Sequence, residues 1–354
     1  MQVCSQITIL NLVFFGLAIV LSVGLTYGFY RLCLAYHILD YPGGHKTHTH
    51  PTPLLGGAAI FLSFWISILA AYMVCGDGVF DSFNFLQAFL LSSLVIYVTG
   101  LLDDLMNLKS YYKLFGQAVA AVILIAHGYF ITRMHIPFTG QFELGIWGFP
   151  VTVIWVVVIT NSINFVDGLD GLAGVIGLTV CIGLLIVGAF LNLAVVSVIA
   201  AIIGGALFGF LFYNLPPARI FMGNNGALFV GFVFSVVAVF CPIKSYTAVA
   251  MFVPLIAAAL PIIETIVTPI RRIITGRKFY QSDTNQSFHY LRRFRFSTGT
   301  TILIFGSVSL LFNAFIPAFF WFDRKQVFSI FVLFLMILVA IFFILRLVKG
   351  NGER

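Results

Sequence analysis

Long apolar segments alternate with short polar, glycine-rich segments along almost the whole chain. About eleven of the apolar segments are long enough to cross the ~30 Å hydrocarbon core of a bilayer as helices. They lie near residues 7–30, 54–75, 83–102, 114–130, 149–165, 171–191, 193–213, 226–243, 246–270, 300–322 and 326–348. The pattern therefore predicts an all-α, polytopic membrane protein with about eleven transmembrane helices and functional residues in the loops between them.

The composition favours the same class. Hydrophobic residues make up 61% of the 354 residues and charged residues only 9%, which excludes a soluble globular domain. We expect one integral-membrane domain over residues 1–354, with a basic loop at 271–297 inside it. The first segment is predicted to stay as a helix rather than to be cleaved as a signal peptide. The five cysteines form no CxxC pair, so neither a zinc site nor a disulfide framework is indicated.

The basic residues are distributed unequally between the two sets of alternating loops. One set carries fifteen of the nineteen Lys and Arg residues, and the positive-inside rule assigns that set to the cytoplasm. The predicted protein is a multi-pass protein of the cell inner membrane, with its N-terminus outside and its C-terminus in the cytoplasm. The net charge of +7 follows from this topology, so no nucleic-acid partner is expected.

The most polar stretch of the chain, residues 161–174, lies between two apolar segments. It contains two carboxamides and two carboxylates, at Asn161, Asn164, Asp167 and Asp170. Unpaired charge beside lipid costs several kcal/mol, so these groups are expected to face protein, water or a ligand. If the stretch is helical, Asn164, Asp167 and Asp170 share one face. The alternative is a polar loop that contains a helix N-cap.

Three further loops on the same predicted side carry candidate chemistry. Asp103 and Asp104, followed by Lys109 and Lys113, resemble half of a site for Mg²⁺ and phosphates; the alternative is an acidic helix end in water. In the first loop, Lys46 and neighbouring histidines such as His48 can bind an anion. The alternating histidines are only weak evidence for a metal site, and a solvated loop without a ligand is the other interpretation. Phe221, beside a Gly-Asn-Asn-Gly turn, can stack on a base or simply pack next to a turn.

The basic loop at 271–297 adds a fifth cluster. Part of its positive charge sets the membrane topology or binds lipid head groups. Its candidate substrate contacts are Arg277, Lys278, Asp283 and His289. All five clusters fall on the predicted cytoplasmic side, so we expect one site for an anionic substrate at the inner membrane surface. A secondary transporter is an alternative, but transporters place ionisable groups near the bilayer midplane.

These motifs resemble those of the polyprenyl-phosphate N-acetylhexosamine-1-phosphate transferases (glycosyltransferase family 4). The similar residues are Asp40-x-Pro, Lys46-x-His, Pro51-x-Pro-x-x-Gly-Gly57, Asp103-Asp104, Asn161-x-x-Asn-x-x-Asp-Gly-x-Asp-Gly-Leu-Ala-Gly174 and Phe221-Met-Gly. The resemblance implies transfer of a sugar 1-phosphate from a UDP-N-acetylhexosamine to a polyprenyl phosphate such as undecaprenyl phosphate, with release of UMP. Mg²⁺ is the implied cofactor, with Mn²⁺ as a substitute, and the implied partners are both substrates and membrane lipid. The oligomeric state stays open, with a homodimer as one alternative.

The resemblance also implies roles for individual residues. The catalytic carboxylates are Asp103, Asp104, Asp167 and Asp170. Substrate contacts are expected at Lys46, His48, Asn107, Lys113, Asn161, Phe221, Arg277 and His289, with Phe221 stacking on uracil. The metal ligands are Asn164, Asn224 and Asp104.

Three positions depart from the family pattern. Asn224 stands where the family has a metal-binding Asp, and Glu264 replaces an Asp. The segment from Asp283 to His289 keeps only the first and last residues of the family's Asp-Arg-x-His-x-His-His. The alternative within the same fold is therefore a catalytically impaired relative that binds lipid phosphate or a partner enzyme.

Overall fold

The computed structural model describes residues 2–41, 50–80, 82–136, 140–244, 259, 262–263, 296–323 and 325–337. Six of the predicted substrate contacts lie outside the described residues, namely Lys46, His48, Arg277, Lys278, Asp283 and His289. The same holds for Glu264 and most of the ninth predicted span.

The described part of the chain contains eight helices that are long and apolar enough to cross a membrane, which confirms an all-α polytopic membrane protein. These elements include α1 (Gln2–Tyr36), α2 (Gly56–Cys75), α4 (Phe83–Met106), α6 (Gly148–Val166), α7 (Leu172–Leu191), α8 (Ala194–Asn214), α9 (Gly223–Lys244) and α10 (Thr298–Trp321). Two shorter apolar helices are α5 (Ser110–Ala126) and α11 (Lys325–Ile337). A short helix, α3 (Asp77–Phe80), precedes α4.

The helix ends follow from local chemistry. Ser82 accepts a hydrogen bond from the backbone N–H of Phe85 and so caps α4. At the other end, Asn107 adopts a left-handed conformation and donates its N–H to the carbonyl of Asp103. Asn tolerates this conformation better than most residues, so α4 stops there and α5 begins three residues later.

Two small antiparallel pairs of strands lie in loops where the hydrophobic pattern predicts no regular structure. The first pairs β1 (Leu39–Asp40) with β2 (Thr52–Pro53), and the second pairs β3 (Arg133–Ile136) with β4 (Gly140–Glu143). Arg133 stands opposite Glu143 and forms a 3.2 Å ion pair with it. Such strands are too short and polar to give a clear alternating signal.

Helices α8 and α9 form the centre of the bundle, with 89% and 94% of their apolar segments buried by protein. Helix α1 packs on α8, while α4 and α6 pack on α9. Helix α10 packs on α7, where Thr179 and Ser309 are hydrogen-bonded at 2.5 Å and Asn313 donates to the carbonyl of Thr179 at 2.8 Å. Hydrogen bonds of this kind stabilise helix packing in a membrane, where the hydrophobic effect does not drive helices together.

Four of the five polar loops meet at one end of this bundle. The backbone of residues 221–222 bonds to the loop before α2 and to the first turn of α2. The Phe221 N–H donates to the Pro53 carbonyl (2.8 Å), and the Gly57 N–H donates to the Met222 carbonyl (2.9 Å). The loops after α4, α6 and α8 join the same end through side chains. The predicted convergence of these four loops on one site therefore agrees with the structure.

Candidate active site

Asp104, near the C-terminus of α4, lies against the N-terminus of α9. Its Oδ1 accepts the backbone N–H of Asn224 at 2.8 Å, and its Oδ2 accepts that of Asn225 at 3.0 Å. The first N–H groups of a helix lack partners within the helix and carry a partial positive charge. The carboxylate therefore caps α9 as well as facing the site.

Asn224 connects this carboxylate to α6. Its Nδ2 donates to Asp104 Oδ1 at 3.0 Å, and its Oδ1 accepts from Asn164 Nδ2 at 2.7 Å. An ionised carboxylate only accepts hydrogen bonds, so Asn224 must present its nitrogen to Asp104 and its oxygen to Asn164. Asn164 in turn donates with its nitrogen, and its Oδ1 remains for another donor or a cation.

Glycines bring the start of α9 this close to its neighbours. A Cβ atom on Gly100 of α4 would lie 2.5 Å from the Cα of Asn225, and a Cβ on Gly57 of α2 would collide with Gly226. Asn225 is completely buried here. The close approach explains why the sequence has glycine at both positions.

Asp103 faces α5 instead. It is 5% exposed and pairs with Lys113 Nζ at 3.0 Å, while the Lys113 side chain is 27% exposed. Burying one carboxylate is tolerable because the ammonium group compensates its charge. Neighbouring carboxylates thus point to two different partners, which brings α4, α5 and α9 together at one point.

The stretch 161–174 is not one helix. Helix α6 ends at Val166, Gly171 adopts a left-handed conformation (φ +75°), and α7 begins at Leu172. The condition for Asn164, Asp167 and Asp170 to share a helical face is therefore not met. Asp170 Oδ2 accepts the backbone N–H of Ala218 at 3.0 Å, which ties this turn to the loop between α8 and α9.

Asp167 lies in that turn, close enough to Asp104 and Asp170 to be affected by their charges. The residue keeps part of its surface exposed, but its carboxyl group is enclosed by protein atoms. This burial, with smaller contributions from Asp104 and Asp170, raises the pKa of Asp167 from 3.8 to about 7. Three acidic groups therefore lie close together at this end of the bundle.

Asp167→Asn is expected to raise the thermal stability of the metal-free protein at pH 8. The folded-state pKa lies above the unfolded value, so stability is greatest below 3.8, falls as pH rises and levels off above about 7. Asn at this position does not ionise, so the variant lacks this fall in stability with rising pH. The check is the Tm in detergent and EDTA at pH 5 and pH 8, where wild type is expected to lose a few degrees relative to the variant. Parallel Tm curves for the two proteins would contradict it.

The other predicted contacts occupy different environments. The Asn161 carboxamide bonds with Gln117 of α5 in both directions, at 2.6 and 3.3 Å, so in this structure it joins α5 to α6. Asn107 is exposed at the end of α4. Phe221 is half-buried, beside the loop that precedes α2.

Gln117 and Asn214 are residues that the sequence reasoning missed. Asn214 Oδ1 accepts the N–H of Gly171 at 3.0 Å, and its Nδ2 donates to the carbonyl of Ile220 at 2.8 Å. It thus fixes the loop carrying Phe221 against the turn carrying Asp170. The only sequence signal was a polar residue at the end of an apolar segment.

The oxygen atoms of the site have the chemistry that Mg²⁺ prefers. Asp104, Asp167 and Asn164 contribute carboxylate and carboxamide oxygens, the ligands of hard cations. Within the described ranges, no three His, Cys, Asp or Glu side chains form a group that could hold a metal ion. The described residues therefore fit a cation that takes part of its coordination shell from water or substrate.

Comparison with known proteins identifies the family of the chain. The profile of glycosyl transferase family 4 matches residues 86–241. A Bacillus subtilis protein named probable undecaprenyl-phosphate N-acetylglucosaminyl 1-phosphate transferase is 33% identical over 313 residues, which cover 87% of this chain and 84% of the relative. The Thermotoga maritima undecaprenyl-phosphate alpha-N-acetylglucosaminyl 1-phosphate transferase is 30% identical over 89% of this chain and 91% of its own length.

A third relative is the decaprenyl-phosphate N-acetylglucosaminephosphotransferase of Mycobacterium leprae, 29% identical over 77% of this chain and 76% of the relative. The matches cover the helices that carry Asp103, Asp104, Asn164, Asp167 and Asn224. The chain therefore belongs to glycosyl transferase family 4 and is a sugar-phosphate transferase of the multi-pass membrane type.

Proposed function

We propose that the protein transfers N-acetylhexosamine 1-phosphate from a UDP-sugar to polyprenyl phosphate, releasing UMP, and so starts a lipid-linked cell-envelope glycan. The relatives' names give the acceptor as undecaprenyl or decaprenyl phosphate and the transferred group as N-acetylglucosamine phosphate. The observation that carries the proposal is the joining of α4, α6 and α9 by Asp104, Asn164 and Asn224, beside the Asp103–Lys113 pair.

In the proposed reaction an oxygen of the lipid phosphate attacks the β-phosphorus of the UDP-sugar. A new P–O bond forms, the bond between the β-phosphorus and the bridging oxygen breaks, and UMP leaves with that oxygen. Little covalent chemistry is required of the protein, so its contribution is positioning and charge stabilisation. Mg²⁺, when bound, neutralises charge on the diphosphate.

Different residues of this chain provide the positioning and the charge stabilisation. Lys113 supplies a partly exposed ammonium group at the α4–α5 corner, suited to a phosphate. Asp104 fixes the N-terminus of α9, whose positive end favours anions. Asp167 and Asn164 present oxygen atoms that can hold the cation beside the donor, and Mn²⁺ is expected to substitute for Mg²⁺.

We place this site at the cytoplasmic face of the cell inner membrane, with the N-terminus outside and the C-terminus inside. The support is the distribution of basic residues between alternating loops. Nucleotide sugars are charged and water-soluble, which suits a site at a helix end rather than at the bilayer midplane.

A direct assay tests the proposed reaction. Purified protein is incubated with Mg²⁺, a short polyprenyl phosphate and a panel of UDP-sugars, and both the lipid product and the released nucleotide are analysed by mass. The proposal requires a lipid that gains a sugar and a phosphate, with UMP as the other product. Release of UDP would show glycosyl transfer without the phosphate and would contradict it.

Phe221→Ala is expected to weaken binding of the UDP-sugar by about 5- to 150-fold, because stacking on an aromatic ring contributes ~1–3 kcal/mol per base. Apparent affinity for the lipid phosphate should not change. Phe83→Ala, at the opposite end of α4 and 61% exposed, is the matched control. If Phe221→Ala weakens binding of both substrates equally, the ring has a packing role and does not stack on the base.

A further inference from the structure

Asn224 makes three hydrogen bonds that involve both its backbone and its side chain. Its backbone N–H and its Nδ2 both donate to Asp104 Oδ1, at 2.8 and 3.0 Å, and its Oδ1 accepts from Asn164 at 2.7 Å. One carboxamide thus connects α4, α6 and the start of α9. Both the nitrogen and the oxygen of the side chain are hydrogen-bonded to neighbouring residues.

A carboxylate at the same position would change the charge balance. An ionised Asp has no donor, so the bond to Asp104 would be lost and two carboxylates would face each other at hydrogen-bonding distance. Such a pair needs a cation or a shared proton between its members. The hydrogen bond that Asn224 donates performs the same joining role with one negative charge fewer.

The remaining acidic groups are mostly engaged. Asp103 is paired with Lys113 at 3.0 Å, and Asp170 accepts the Ala218 N–H at 3.0 Å. Asp104 already accepts three N–H groups, from Asn224 and Asn225. Asp167, whose carboxyl group is enclosed by protein atoms, is the remaining acidic group of this set, so the described site offers a cation few available charges.

Mg²⁺ loses its water ligands reluctantly and is commonly bound by one or two carboxylates together with substrate phosphates. We infer, on the basis of the proposed function, that this protein assembles its active site without a resident divalent cation and takes up the cation together with the diphosphate of the nucleotide sugar. Asn224 is the positioning residue that makes the cation unnecessary in the substrate-free state. The cation and the donor then bind cooperatively, each raising the affinity for the other by the same factor.

The test compares wild type with Asn224→Asp in the substrate-free state. The Tm of the detergent-solubilised protein is measured in EDTA and in Mg²⁺, and binding of Mn²⁺ is followed by the loss of its free EPR signal. Wild type is expected to show the same Tm in both conditions and no Mn²⁺ uptake. Asn224→Asp is expected to melt a few degrees lower in EDTA, to recover in Mg²⁺, and to bind Mn²⁺ at least about tenfold more tightly, because affinity follows the number of charged ligands.

Two controls accompany the comparison. Asn192→Asp adds a carboxylate at an exposed helix end and should leave both the Tm shift and Mn²⁺ binding as in wild type. The second control is UDP-N-acetylglucosamine with Mn²⁺ but no protein, which corrects for the cation that the donor binds by itself. Adding this donor to wild type should then produce Mn²⁺ uptake beyond the corrected level.

Substrate-free wild type that binds Mn²⁺ as tightly as Asn224→Asp would overturn the inference while leaving the proposed transferase reaction intact, provided that the lipid product still forms. Lipid product without Mn²⁺ uptake in the presence of donor would also overturn it. Absence of both lipid product and donor-dependent uptake would overturn the proposed function together with the inference that rests on it.

Discussion

Asp104→Asn should lower turnover at least ~10²-fold, the size of effect seen when one electrostatic contribution is removed from a transition state. The carboxylate accepts three N–H groups at the start of α9 and stands beside Asp167. An Asn keeps one accepting oxygen, but its NH₂ group would face a backbone N–H. The negative charge that we propose helps to hold a cation at the diphosphate would be lost.

The structure also predicts a stability cost that the sequence did not indicate. The family resemblance assigned Asp104 only catalytic and metal-binding roles. Because Asp104 caps α9, its replacement should cost about 1 kcal/mol of unfolding free energy. This is too small to explain a hundredfold loss of turnover, so the two effects are separable.

Asp323→Asn is the matched control for Asp104→Asn. Asp323 Oδ1 accepts the N–H groups of Lys325 and Gln326, both at 3.1 Å, so it also caps a helix, α11. This variant should show a similar or smaller stability loss with normal turnover. Normal turnover in Asp104→Asn as well would show that the Asp104 carboxylate only caps α9 and takes no part in catalysis.

Lys113→Met is expected to lower both stability and turnover. Removing the ammonium group leaves Asp103, 5% exposed, without its partner, and breaking one side of a buried pair typically costs ~3–5 kcal/mol. Turnover should fall ~10²-fold if Lys113 also neutralises a phosphate in the transition state. The measurements are Tm in detergent and initial rates at saturating substrates.

The double variant Asp103→Asn/Lys113→Met separates these two roles. It removes both charges, so most of the lost stability should return, since neutral replacement of a buried pair is often tolerated. Turnover should stay low because the phosphate contact is still missing. Recovery of turnover along with stability would show that Lys113 only compensates Asp103.

The sequence predicted the helices well because apolar segments of membrane-spanning length are a strong signal. Ten of the predicted spans correspond to helices in the part of the chain that the structure describes. The convergence of four loops was also predictable, because charge distribution places alternate loops on one side. Helix α1 extends beyond its predicted span, since polar residues at a helix end do not mark where the backbone stops being helical.

The details of the site were not predictable in this way. Asp104 contacts residues 120 positions away in sequence, and no local pattern shows which helix N-terminus a carboxylate will cap. The turn at Asp167 replaces the helix that the spacing allowed, because Gly171 takes a left-handed conformation there. The Gln117–Asn161 pair joins two helices, although Asn161 was predicted to contact substrate and Gln117 looked like an isolated polar residue in an apolar segment.

We expect a sugar 1-phosphate, and not a sugar alone, to pass to the lipid. The most direct measurement uses UDP-N-acetylglucosamine labelled with ³²P at the β-phosphate and with ³H in the sugar, together with polyprenyl phosphate, Mg²⁺ and the purified full-length protein. Both labels are expected to enter the organic-extractable lipid in equal amounts while unlabelled UMP is released. Lipid that carries ³H without ³²P, or no labelled lipid at any Mg²⁺ concentration, would contradict it.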